Sequence, residues 1–171
     1  MVEALVKALS SARYNLVEGT LRTSQVPLDT AALLRGKGYR VSLALMAVKP
    51  EISLVSCQIR YELMRMAGTT PRATDPAHHN KIVADIVQNV GVLESSGLFD
   101  EIRLYSRERE LLYPLEGDAR RAADVLEAVL FGPWTPTEQE HYEFLEAKLA
   151  SLQGGASLPA AAGAAGEHHP V

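Results

Sequence analysis

Residues 39–48 read Tyr-Arg-Val-Ser-Leu-Ala-Leu-Met-Ala-Val, and this nearly unbroken apolar run decides the fold class. Bounded by Gly36 and Gly38 before it and Pro50 after it, the run is too short for a buried helix and reads as a strand covered on both faces. Toward the N-terminus, Leu28, Ala31, Ala32 and Leu34 predict a helix, with Ser24 as its cap, Pro27 in its first turn and the glycines at 36–38 as its stop. Residues 15–17, Asn-Leu-Val, predict a short strand before that helix, followed by a turn over 19–23. Strand, helix, strand is a parallel-sheet unit, so the class is α/β.

Pro50 opens a further helix, in which Ile52, Val55, Ile59, Leu63 and Met66 step by three and four and Arg60 borders the stripe. Residues 67–75 lack periodicity and predict a loop carrying Arg72. Asp75 and Pro76 cap a long helix marked by His79, Ile82, Val83, Ile86, Val90 and Leu93 and ended by Gly97. A hairpin follows, with Ile102 and Leu104 alternating with polar neighbours and 111–113 pairing back. Another helix is expected from Asp118 until Gly132 and Pro133 break it. Thr135 and Glu138 then form a capping box for a last helix through Leu145, Leu149 and Leu152. The chain divides into a domain over residues 1–152 and an Ala/Gly/Pro-rich tail over 153–171, expected to be disordered. Val2, Leu5, Val6 and Leu9 form a helical stripe with nothing before it to cap it, so the chain is expected to begin inside an element.

The 171 residues, 47% of them hydrophobic and 22% charged, suit one globular domain. A formal charge of -4 disfavours a nucleic-acid binder. The longest apolar run, residues 43–48, falls far short of the ~20 residues that a membrane-crossing helix needs. With a single cysteine, Cys57, and no secretory signal, a soluble protein of the reducing cytoplasm is expected. Cys57 reads as a small, near-core residue and Trp134 as an anchor for the last helix. The histidines at 78, 79, 141, 168 and 169 have no metal-ligand spacing. Arg103, Arg107 and Arg109 read as a solvated hairpin edge.

Residues 14–23, Tyr-Asn-Leu-Val-Glu-Gly-Thr-Leu-Arg-Thr, run from apolar positions into a carboxylate, two hydroxyls and an arginine. A buried strand that delivers polar side chains to a ligand has this pattern, and we read it as a substrate site; an ordinary strand end and turn is the plainer alternative. Taken singly, Arg60 is a solvated helix residue paired with Glu62 or Glu51, and Arg72 is a loop arginine.

Together with that stretch, Gly-Tyr at Gly38, Met-Ala-Val-Lys-Pro-Glu at Met46, Arg-Tyr-Glu at Arg60, Arg-Ala-Thr at Arg72, Gly-Leu-Phe at Gly97 and Ile-Arg-Leu-Tyr at Ile102 resemble the zeta toxin family. The resemblance implies a P-loop-kinase-like parallel sheet flanked by helices. It further implies transfer of the ATP γ-phosphate, with Mg²⁺, to the 3′-hydroxyl of UDP-N-acetylglucosamine, and a helical antitoxin as partner. By position, Glu18, Thr20, Arg22 and Thr30 correspond to substrate-binding residues, and Arg60 and Arg72 to the catalytic arginines around the transferring phosphoryl group. Arginine suits this task, because phosphoryl transfer depends on positioning and on cations beside charge-bearing oxygens.

The sequence departs from the family pattern in two respects. No Gly-x-x-x-x-Gly-Lys-Ser/Thr stretch occurs, and Arg35-Gly-Lys-Gly38 has neither the spacing nor the hydroxyl. The chain is therefore expected to lack the P-loop strand, its helix and the aspartate base, and to be truncated at its N-terminus relative to the family. The family also has one more apolar residue between the asparagine and the glutamate than Asn15 and Glu18 allow, which would reverse the face on which Glu18 lies. The alternative reading is a catalytically inactive remnant that only binds a sugar nucleotide or an antitoxin.

Overall fold

The computed structural model describes Ser11 and residues 19–154. The helix expected near Val2 to Leu9, the strand expected at 15–17, Glu18 and the tail after Gly154 lie outside the described residues. The elements are α1 (Gln25–Gly36), β1 (Ser42–Met46), α2 (Pro50–Met66), α3 (Pro76–Ser95), β2 (Glu101–Tyr105), β3 (Leu111–Tyr113), α4 (Ala122–Phe131) and α5 (Pro136–Gly154).

The sheet is mixed, in the order β1-β2-β3. β1 pairs in parallel with β2, from Ser42 opposite Glu101 to Met46 opposite Tyr105, across a crossover that holds both α2 and α3. β2 pairs antiparallel with β3 through the expected hairpin. The parallel unit expected from strands at 15–17 and 39–48 reaches outside the described residues; among the described residues the parallel pair is β1 and β2.

The expectation that β1 is covered on both faces does not hold. Leu43 and Leu45 are half-buried, while Ser42, Ala44 and Met46 are exposed. The reason lies in the helices. Leu45, Ile102 and Leu104 face α3 and α4, whose Val90, Ala122, Val125 and Leu126 complete one apolar cluster on that side of the sheet. A second cluster lies apart from it, formed by Ile52, Val55 and Ile59 of α2 with Leu145 and Leu152 of α5. The stripe expected along α2 ends early for the same reason: Leu63 and Met66 are 41% and 62% exposed, since only the first part of the helix faces α5. A third, small cluster seats Ala31 and Leu34 of α1 on Val41 at the entry to β1.

Boundaries follow the caps. Asp75 accepts a hydrogen bond from the Ala77 amide, and Thr135 and Glu138 exchange the two bonds of a capping box, at 2.8 and 3.2 Å. Ser24 does not cap with its side chain; it is itself helical, and its carbonyl accepts from Leu28. The helix expected from Asp118 begins at Ala122 instead. Asp118 is occupied by Arg120 through backbone and guanidinium donors, and the Ala122 amide donates to Glu94 of α3 at 2.7 Å, a cap supplied by a different helix.

The first two clusters are joined by Lys49. It follows β1, caps α2 by position and is only 2% exposed. Its Nζ donates to the Gly132 carbonyl at 2.8 Å and lies 5.9 Å from the Trp134 ring centroid, so its charge is met by a carbonyl dipole at the end of α4 and by an aromatic face. Trp134 in turn meets Tyr142 of α5 edge-on, at 5.4 Å, and anchors that helix as expected.

Lys49→Met keeps the shape but removes the donor to the carbonyls of Gly132 and, at 3.4 Å, Pro133, so a loss of about 1–3 kcal/mol is expected in urea unfolding at unchanged m-value. An unchanged or raised midpoint would show that the ammonium contributes nothing net.

Asp100 links the entries to the two parallel strands. Its carboxylate accepts from the Val41 amide at 2.7 Å and pairs with Arg35 at 3.1 Å, and the Val41 bond, followed by Arg35, holds it below the usual aspartate range. A lowered native value means that this stabilisation is full above the unfolded value and fades as pH falls through the native one. Asp100→Asn is therefore expected to melt below the parent at pH 7, with the gap closing on acidification below about pH 4; a gap independent of pH would exclude the charge as its source.

Candidate functional site

The described part of the 14–23 stretch, residues 19–23, is irregular, with a bend at Arg22 and every residue but Leu21 exposed. Leu21 takes a left-handed backbone, φ 52°, which is strained for a branched side chain. Two contacts hold it there: its side chain packs against the cluster on the sheet, and its carbonyl accepts from Asn89 Nδ2 of α3 at 3.1 Å. The inward turn of Leu21 leaves Thr20 and Arg22 outside, where Arg22 Nε donates to Thr20 Oγ1 at 3.2 Å. That contact uses one of the five guanidinium donors and fixes the plane of the group. The remaining donors belong to the terminal nitrogens of an exposed residue, an arrangement suited to a phosphate or carboxylate. Thr30 is half-buried on α1, about one turn after Pro27.

Arg60 and Arg72 are both exposed, one midway along α2 and the other in the 67–75 loop. Arg60 pairs with neither Glu62 nor Glu51: Glu62 is taken by Arg65 at 2.7 Å, and Arg60 instead approaches Cys57 Sγ at 3.7 Å. The side chains that would compete for an anion are thus engaged elsewhere. Arg103 is paired with Glu101 at 2.6 Å on the hairpin, in keeping with a solvated edge.

The segment 35–38 does not fit a phosphate cradle. The amides of Lys37, Gly38 and Tyr39 donate to the carbonyls of Leu34 and Arg35, closing the end of α1, and Arg35 is held by Asp100 and the Leu98 carbonyl. Its backbone donors are spent on a helix cap. A shallow groove between α3 and α4, bordered by Gln88, Gly91, Arg121 and Asp124, contains none of the residues expected at the site.

Asn89, which holds the turn, and Lys49, which joins the clusters, were not recognisable as structural residues. Lys49 does carry one signal, a lysine directly between a buried apolar run and a helix-opening proline. Asn89→Ala removes the bond to the Leu21 carbonyl, and the backbone NMR order parameters of residues 20–23 are expected to fall, with little change in the global melt. Equal order parameters in the two proteins would leave the segment held by Leu21 packing alone.

The family model for zeta toxins matches residues 1–118. Toxin PezT of Streptococcus pneumoniae serotype 4 is 47% identical over 154 residues, which are 89% of this chain and 61% of that protein. Toxin zeta of Streptococcus pyogenes is 43% identical over 115 residues, 66% of this chain and 40% of its own length. A solved structure from the PezAT chromosomal toxin-antitoxin system of Streptococcus pneumoniae superposes with a TM-score of 0.77 at 43% identity, covering 89% of this chain and 60% of its own. The chain therefore spans less than two thirds of the length of these relatives, and over that length it belongs to the zeta toxin family.

Proposed function

We propose that this chain carries the acceptor-substrate side of a zeta-toxin-type kinase site, binding UDP-N-acetylglucosamine for phosphorylation at the sugar. The observation that carries the reading is the Arg22–Thr20 pair, presented to solvent on a strained turn that Asn89 fastens to α3. A strained backbone held from two sides is usual where side chains are aimed at a ligand. In this reading Arg22 meets the diphosphate, Thr20 and Thr30 offer hydroxyls to it and to the sugar, and Glu18 accepts from sugar hydroxyl or amide groups. Arg60 and Arg72 supply positive charge to phosphate oxygens. Membership of the family supports the division of roles, and the absence of acidic partners at Arg60 and Arg72 among the described residues is consistent with it.

ATP and Mg²⁺ are the co-substrate and metal that the family resemblance implies. The described residues do not fit them, since the 35–38 amides are consumed by the α1 cap. We derive no step through them. A second reading is a non-catalytic toxin fragment that binds a helical antitoxin. It is favoured by the solved relative, whose own context is a toxin-antitoxin system.

Titration calorimetry with UDP-N-acetylglucosamine separates the readings. Saturable binding that weakens by roughly 10- to 100-fold in Arg22→Ala is expected, as for the loss of a hydrogen bond to a charged group. No heat of binding, with a folded protein, would remove the sugar-nucleotide reading. Mixing the 171 residues with ATP and Mg²⁺ as well is expected to give no phosphorylated sugar nucleotide.

A further inference from the structure

We propose that the hydrogen bond between His79 and Ser53 is a positioning contact that folds the 67–75 loop back along α2 and brings Arg72 level with Arg60. The inference rests on the reading of the two arginines given above. His79 Nε2 lies 3.1 Å from Ser53 Oγ, half-buried, while its Nδ1 lies 3.3 Å from Asn80 Oδ1. A hydroxyl can donate to a bare ring nitrogen or accept from a protonated one, so Ser53 serves either tautomer of His79. Ser53 is in the first turn of α2 and His79 in the first turn of α3. The start of α3 is therefore fastened to the start of α2, although the chain between them leaves from the opposite end of α2.

The dimensions make this return tight. From Ser53 to Met66 a helix rises about 20 Å, and nine loop residues reach roughly 30 Å when extended. The loop is tied at both ends. Gly68, at φ 68°, turns it out of α2, and Thr69 donates from its amide and its hydroxyl to the Met64 carbonyl. At the far end Asp75 caps α3 on the Ala77 amide. A steady return over that path brings Arg72 to about 8 Å above the level of Ser53, and seven residues of helix raise Arg60 to about 10 Å. The two cations thus come within a helical turn of one another along α2.

Packing makes the hydrogen bond more than incidental. α2 packs chiefly on α5, whereas α3 gives Val90, with the half-buried Val83, Ile86 and Val87, to the cluster on the sheet. The first turn of α3 belongs to neither cluster: Pro76, Ala77 and His78 are exposed and His79 alone among them is half-buried. A polar contact, not apolar burial, sets the height at which the loop ends.

Spin labels report the geometry directly. With Cys57→Ala, Arg60→Cys and Arg72→Cys in the full chain, the label-to-label distribution is expected to be short and narrow. It should broaden and lengthen on adding Ser53→Ala or His79→Leu, and recover with His79→Gln or Ser53→Thr, which restore a hydrogen-bonding atom near the original one. An unchanged distribution in both disrupting variants would overturn the proposal, including the case in which only their melting temperatures fall. The measurement uses no nucleotide, so it is independent of whether the chain binds a sugar nucleotide. With the arginines intact, Ser53→Ala is expected to weaken UDP-N-acetylglucosamine binding and Ser53→Thr, which keeps a hydroxyl there, to retain it; a folded Ser53→Ala protein with parental affinity would refute the functional half alone.

Discussion

A buried ammonium holds this molecule together. Lys49 is a charged side chain almost wholly removed from water, and it stands where β1 hands over to α2. Desolvating a lysine is costly, and its position is maintained because the Gly132 carbonyl and the Trp134 face both present electron density to it. Through that group the strand, the end of α4 and the start of α5 are registered against one another. Gly132 is part of the arrangement: a Cβ there would overlap the Ala128 carbonyl, so the backbone that supplies the acceptor admits no side chain.

Much of the helical framework was legible because its signals are local. Asp75 and the Thr135–Glu138 box satisfy amides within a few residues of themselves, and Pro50 and Pro76 stand where a helix would otherwise have an orphaned amide, so the starts of α2, α3 and α5 are fixed locally. The start of α4 was not legible, because its cap is Glu94, 28 positions earlier. The same limit applies to the far end of α2, where periodicity continues through Leu63 and Met66 after its partner helix has ceased to cover them. The exposed face of β1 is a related case. Apolar composition on both faces indicates what a strand can bury, while the helices decide which face is buried.

The candidate site divides in the same way. Thr20 and Arg22 are neighbours two residues apart, and their contact is of the kind that spacing suggests. The contact that fastens their turn reaches 68 residues along the chain to Asn89, which no pattern around Leu21 announces. Arg60 and Arg72 were identified through resemblance, and their exposure without acidic partners came from the fold, since Glu62 had an equally close alternative in Arg65. Lys49 was overlooked because a lysine in sequence normally denotes a surface.

Two apolar clusters joined by polar contacts amount to two cooperative units of different strength. The α2–α5 pair has its own interior and is tied to the sheet through Lys49 and to α3 through Ser53 and His79. Arg60 belongs to the first of these units and the Arg22 turn, fastened by Asn89, to the second. The distance between these two cations is therefore set by the contacts that join the units rather than by the size of either core.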